Sequence, residues 1–137
     1  MTSYSLDTNA CMALINGRPI GVRERFRQAQ QAGNSFVVST VVVFELRYGV
    51  AKSQYPQASG ARLELFLGRP LDVLPLDEDD AVDAGAARAA LERAGTPIGA
   101  YDVLIAGQAR RRSLTVVTAN VSEFRRVADL SWEDWAR

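Results

Sequence analysis

The sequence contains no histidine, a single cysteine and a single lysine, Lys52. Without histidine there is no imidazole general acid or base, no Ser-His-Asp triad and no ordinary His-containing zinc site. Any hydrolytic chemistry therefore falls to carboxylates and a hard cation. The lone Cys11 excludes an internal disulfide and reads as a buried, inert thiol. Net charge is also missing, with 16 basic residues against 16 acidic ones, so a polyanion would be held by local patches rather than by a global field. Every basic residue except Lys52 is an arginine, which favours planar, bidentate contacts to carboxylates or phosphates. No apolar run approaches the roughly 18 to 20 residues needed to cross a bilayer, and the opening MTSYSLDTN lacks the regions of a signal peptide. The expectation is a soluble, cytoplasmic protein with no membrane association.

What is present is a hydrophobic content of 47% over 137 residues, enough for one continuous core and hence one domain spanning residues 1–137. Strand-like runs occupy residues 4–6, 36–39, 71–76 and 114–118, with a weaker one at 128–130. Helical patterns separate them at residues 10–15, 22–32, 40–53, 57–67, 77–94 and 101–112. Gly33-Asn34 and Gly95 supply stop signals, and Pro56 breaks the third pattern from the fourth. Strands alternating with helices predict an α/β domain, a mainly parallel sheet covered on both faces. In such sheets ligands bind beyond the carboxyl ends of the strands, so polar residues placed just after a strand are the first candidates for chemistry.

Three acids stand out. Asp7 follows the first strand in Leu6-Asp7-Thr8-Asn9, where it reads either as a helix N-cap or as a ligand. Glu45 interrupts the apolar run Val41-Val42-Val43-Phe44-Glu45-Leu46, where it is either paired with Arg47 or Arg62, turned outward, or functional. Asp102 opens the apolar segment Tyr101-Asp102-Val103-Leu104, where an acid also complements the helix dipole. If these acids meet, two carboxylates about 4 Å apart repel by roughly 4 kcal/mol at an effective dielectric near 20, and a proton, an arginine or a cation must offset it. Oxygen-only ligands suit Mg²⁺ or Mn²⁺, and a cation of that kind activates water for phosphodiester hydrolysis.

The order and spacing of these short motifs resemble the PIN-domain nucleases, and among them the VapC toxins of bacterial toxin–antitoxin pairs. The resemblance runs through Leu6-Asp7-Thr8-Asn9, Glu45-Leu46 with Tyr48-Gly49, and Pro97-Ile98-Gly99 with Asp102, Ile105-Ala106 and Ala109. It continues through Val117-Thr118-Ala119-Asn120, Glu123-Phe124 and Glu133-Asp134-Trp135. It implies a three-layer sandwich around a five-stranded parallel sheet and a Mg²⁺-dependent endoribonuclease, with Mn²⁺ as a substitute. It further implies transfer or ribosomal RNA loops as substrate, a cognate antitoxin and homodimers. It also implies that Asp7, Glu45 and Asp102 bind the metal and activate water. Many PIN domains carry a further acid where this chain has Asn120, so either Asn120 itself or Glu123, one turn further on, is expected to take its place. Thr8, Asn9 and Thr118 either orient waters around the metal or merely satisfy turn backbone.

Arg110, Arg111 and Arg112 end a helix, where they complement its dipole or contact RNA or antitoxin; Arg125 and Arg126 read either as surface residues or as contacts to a substrate strand or antitoxin. The run Asp77-Glu78-Asp79-Asp80 reads as an N-terminal cap, and Trp132 and Trp135 as core packing or base stacking. Two rivals accompany the ribonuclease: a catalytically silent binding module with its acids in Arg pairs, and a PIN nuclease acting on DNA.

Overall fold

The computed structural model describes residues 1–136. Five strands, Ser3–Leu6 (β1), Ser35–Ser39 (β2), Asp72–Leu74 (β3), Thr115–Val117 (β4) and Ser131–Glu133 (β5), form one sheet in the order β3-β2-β1-β4-β5. Every pairing is parallel, with Ser5 opposite Val37 and Val116, Val38 opposite Val73, and Val116 opposite Trp132. Seven helices flank it: Thr8–Asn16 (α1), Ile20–Gln31 (α2), Thr40–Lys52 (α3), Pro56–Leu67 (α4), Glu78–Arg93 (α5), Ala100–Arg111 (α6) and the short Val121–Phe124 (α7). Successive strand residues point to opposite faces, yet Tyr4, Ser5 and Leu6 are all buried, as are Val116 and Val117. The centre of the sheet is therefore covered on both sides, as the unbroken apolar runs predict. The edge strands β3 and β5 expose Val73 and Trp132.

Several boundaries differ from the sequence reading, three of them for a clear physical reason. The last strand lies at Ser131–Glu133, not at residues 128–130, because Asp129 takes a left-handed φ of 63° and belongs to the turn before it. β3 keeps only three of the six residues expected: Pro75 has no N–H to give a ladder, and the Leu76 N–H goes to the Thr40 hydroxyl instead. Pro56 not only separates two helices but begins the second, at the first helical position where its missing N–H costs nothing. Trp135 is buried, packing edge-on against Tyr4 with ring centres 5.1 Å apart, while Trp132 stays partly exposed. Cys11 is fully buried.

The chain order moves outward from β1 through β2 to β3, then returns to β4 on the other side of β1. The topological switch point thus falls between β1 and β4, and Asp7 and Thr118 are the residues that follow those two strands. The backbone closes there, with the Asp7 N–H donating to Val117 O at 3.2 Å.

The hairpin of α5 and α6 is joined by an ionic cluster. Asp77 and Asp80 form a reciprocal capping box at the start of α5. The fully buried Asp80 carboxylate accepts from Arg111 Nε at 2.8 Å and Arg112 Nε at 3.1 Å, and Arg110 grips Asp83 at 2.6 Å. Burial pushes the Asp80 carboxyl upward, but hydrogen bonds from Arg112, the Asp77 N–H, Arg111 and Gln108 outweigh it and hold it well below the usual range.

Candidate active site

Asp7 caps α1, accepting from the Ala10 N–H at 2.8 Å, and the Thr118 hydroxyl bonds to it from the end of β4. The N-cap reading therefore holds, and it does not exclude the ligand reading, since capping uses one oxygen of a carboxylate that has two. Asp7 is only 3% exposed. Burial lifts its pKa to about 6; the Thr118 and Ala10 bonds oppose the rise, and the charges of Asp102 and Glu45 add to it.

Glu45 sits half-buried on α3. Neither arginine considered as its partner reaches it: Arg47 pairs with Glu64, and Arg62 bonds to Asn16 and Ile15 O. Its neighbour is the Thr8 hydroxyl, which donates to Glu45 Oε1 at 2.6 Å and ties α3 to the first turn of α1. Asp102 lies in the first turn of α6, half-buried, its carboxyl raised by burial first and then by the charges of Glu123 and Glu45. The Asn120 amide opposes that rise, bonding Asp102 Oδ2 at 3.0 Å and Glu123 Oε2 at 2.8 Å. Glu123 in turn accepts from the Gly99 N–H, and these two donors hold its carboxyl below its ordinary value.

Asp7, Glu45, Asp102 and Glu123 thus share one electrostatic field at the carboxyl end of the sheet, supplied by four different segments. Among the described residues none of Asp7, Glu45 and Asp102 has an arginine or lysine ion pair. Neutral donors from Thr8, Ala10, Thr118, Asn120 and Gly99 are what position the carboxylates. The sequence reading expected Asp7, Glu45 and Asp102 to close on one point. Among the described residues, however, no three acidic or thiol side chains form a ready-made metal-ligating group. The convergence is one of field, not of direct ligands. The donor set still fits a hard divalent cation: it is all oxygen, negatively charged and without a counter-charge, and an ion such as Mg²⁺ keeps several waters.

Comparison with known proteins places this geometry. Residues 4–130 match the PIN domain family. Over 136 residues the chain is 44% identical to a tRNA(fMet)-specific endonuclease VapC from Shigella flexneri, covering 99% of this chain and all of that one. The chain belongs to the VapC ribonucleases of the PIN-domain family. A VapBC2 structure from Rickettsia felis, bound to a DNA fragment from their promoter, superposes with a TM-score of 0.90 at 33% identity, covering 98% of this chain and 99% of that one. DNA-bound VapBC from Salmonella typhimurium gives 0.89 at 41% identity, with the same coverage of each chain.

The remaining residues singled out in this VapC-family chain divide sharply. Thr8, Thr118, Asn120 and Glu123 all touch the acid site. Asn9 is exposed on α1 and makes no bond to the acids. Arg126 donates to Pro97 O at 3.0 Å and its charge favours ionised Glu123, so it borders the site, whereas Arg125 is exposed. Arg110, Arg111 and Arg112 do not present free charge to RNA or antitoxin. They are held by Asp77, Asp80 and Asp83, at the opposite end of α6 from Asp102, about 12–15 Å away at 1.5 Å per residue. Sequence reasoning read those acids and arginines as separate helix-end features and missed their union. It also missed Gly99, whose signal was the Pro97-Ile98-Gly99 turn ahead of Asp102. A Cβ there would stand in ordinary contact with Glu123 Oε1 and Asp102 Oδ2, at 3.5 and 3.6 Å, so Gly99 lies directly against both acids.

Proposed function

We propose that the whole chain acts as one nuclease domain, the toxin of a toxin–antitoxin pair, cutting RNA in the cytoplasm with Mg²⁺, or Mn²⁺ in its place. The observation that carries this reading is the uncompensated carboxylate field of Asp7, Glu45 and Asp102 at the switch point, with Asp7 already raised to about 6. Asp7, Glu45 and Asp102 are the residues that would hold the ion, with Glu123 and Asn120 at its margin. When bound, a divalent cation neutralises charge on the phosphoryl group and lowers the pKa of water.

The protein's own groups do the rest. Thr8 and Thr118 fix the carboxylate orientations of Glu45 and Asp7 through their hydroxyls. Asn120 bridges Asp102 and Glu123 by donating to both, which offsets part of their mutual repulsion. Burial of Asp7 keeps bulk water from screening the field. Transfer RNA is the favoured substrate, because the Shigella relative is named a tRNA(fMet)-specific endonuclease, and a loop is the favoured part of it, because its unpaired bases can be splayed out for recognition. The VapBC neighbours support an antitoxin as the protein partner; a homodimer is the assembly that the family resemblance implies.

The test is incubation of the purified protein with bulk transfer RNA and with flap DNA, with Mg²⁺ or with chelator. Discrete RNA fragments that vanish with chelator and in Asp102→Asn are expected. No cleavage, cleavage that persists in Asp102→Asn, or preferential cutting of the DNA contradicts the reading.

A further inference from the structure

Beside Glu45 lies a cleft of about 450 Å³ whose wall is aromatic: Phe44, Tyr48 and Tyr101, with Lys52, Thr8 and Glu45 completing it. The three rings are large, yet Phe44 is 54%, Tyr48 58% and Tyr101 47% exposed. Exposure of this kind is costly in water unless something covers the rings. They are ordered among themselves. Phe44 and Tyr101 meet edge to face with centroids 5.6 Å apart, bridging α3 and α6, and the Lys52 ammonium stands 4.9 Å over the Tyr48 ring. Lys52 has no carboxylate partner among the described residues.

Placement supplies the occupant. Phe44 directly precedes Glu45, and Tyr101 directly precedes Asp102, so the ring pair rides on the same two helices that deliver the acids. Glu45 and Thr8 line the cleft and also belong to the acid site, making the two continuous. An acidic centre repels a polyanion, so the strand needs binding energy that does not come from the acids. Rings on which bases stack, with a cation for the phosphate between them, provide it without net charge on the protein. We propose that this wall is a stacking subsite for unpaired RNA: a base next to the scissile bond lies against the Phe44–Tyr101 pair, and Lys52 meets the adjoining phosphate. This rests on the ribonuclease reading above and adds the surface that holds the strand.

The experiment uses the full-length protein and a single-stranded RNA oligonucleotide carrying 2-aminopurine, whose fluorescence is quenched on stacking, in chelator so that no cleavage occurs. Quenching by the wild type, with Kd raised about 5- to 150-fold by Phe44→Ala or Tyr101→Ala, is expected, and Tyr101→Phe should keep wild-type affinity because the ring is retained. Lys52→Ala should flatten the salt dependence of binding. With Mg²⁺, the alanine variants should raise KM for RNA far more than they lower kcat. Unchanged Kd and quenching in both alanine variants overturns the subsite. So does sedimentation showing that either variant converts a wild-type dimer to monomer with RNA affinity per monomer intact, because the rings then cover a second copy of the chain. If the wild type cleaves no RNA under any divalent ion, the ribonuclease reading fails first, and the oligonucleotide binding data distinguish the two failures.

Discussion

Replacing Asp7 by asparagine is expected to stabilise the metal-free protein while removing its function. The carboxyl is 3% exposed and lifted from an unfolded value near 3.8 to about 6, chiefly by burial and then by Asp102 and Glu45. A displacement of about two units corresponds to roughly 3 kcal/mol. Well below pH 4 the group is protonated in both states and costs nothing. As pH rises from 4 to 6 the unfolded chain ionises while the folded one resists, so stability falls, and above 6 the full penalty persists. Asparagine keeps the cap to the Ala10 N–H and carries no charge. Thermal unfolding in chelator should therefore give nearly equal Tm values for wild type and Asp7→Asn near pH 3. At pH 7.5 the variant should lie on the order of 10 °C higher. Adding Mg²⁺ at pH 7.5 should raise the wild type and leave the variant unmoved. A variant that is less stable than wild type at pH 7.5 in chelator, or whose advantage does not depend on pH, refutes the reasoning.

Glu45→Gln should reduce RNA cleavage by about two orders of magnitude or more while preserving far-UV circular dichroism, because its Thr8 bond survives in the amide and only the charge is lost. Asp80→Asn should lower stability by about 2–4 kcal/mol in urea melts at pH 7, since it leaves Arg111 and Arg112 without their buried partner. The stability Asp80 confers is present above its unfolded value near 4 and lost as pH falls below it, because its folded pKa is depressed. Gly107→Ala should destabilise by about 1–3 kcal/mol despite its better helix propensity, because the new Cβ would stand 2.5 to 2.6 Å from Ala84 backbone and Cβ atoms; equal or higher Tm contradicts the close α5–α6 contact.

Much of the fold was legible because parallel strands buried on both faces must be apolar throughout, and Leu6, Val38, Val116 and Val117 say so in one dimension. The acids were legible for the opposite reason: Glu45 in a valine-rich run has no cheap structural explanation, and the pairing with Arg47 or Arg62 fails in space. Partners set by tertiary packing were not legible. Asp80 and Arg111 are 31 positions apart, and either alone makes good sense as a helix-end charge, so nothing local announces their ion pair. The shift of β5 escaped because Ala128-Asp129-Leu130 gives only a weak strand signal that fixes no boundary, and the left-handed φ at Asp129 puts these residues in the turn. Distances among carboxylates are equally invisible to spacing, which is why an expected closed ligand set emerged as a shared field held by threonines and an asparagine.

Calorimetric titration of the metal-free protein with Mn²⁺ at pH 7.5 bears on that field directly. Saturable binding by the wild type that is lost in Asp7→Asn and weakened in Asp102→Asn is predicted. Absence of saturable binding, or binding of equal strength in Asp7→Asn, would contradict the claim that these carboxylates exist to hold a cation.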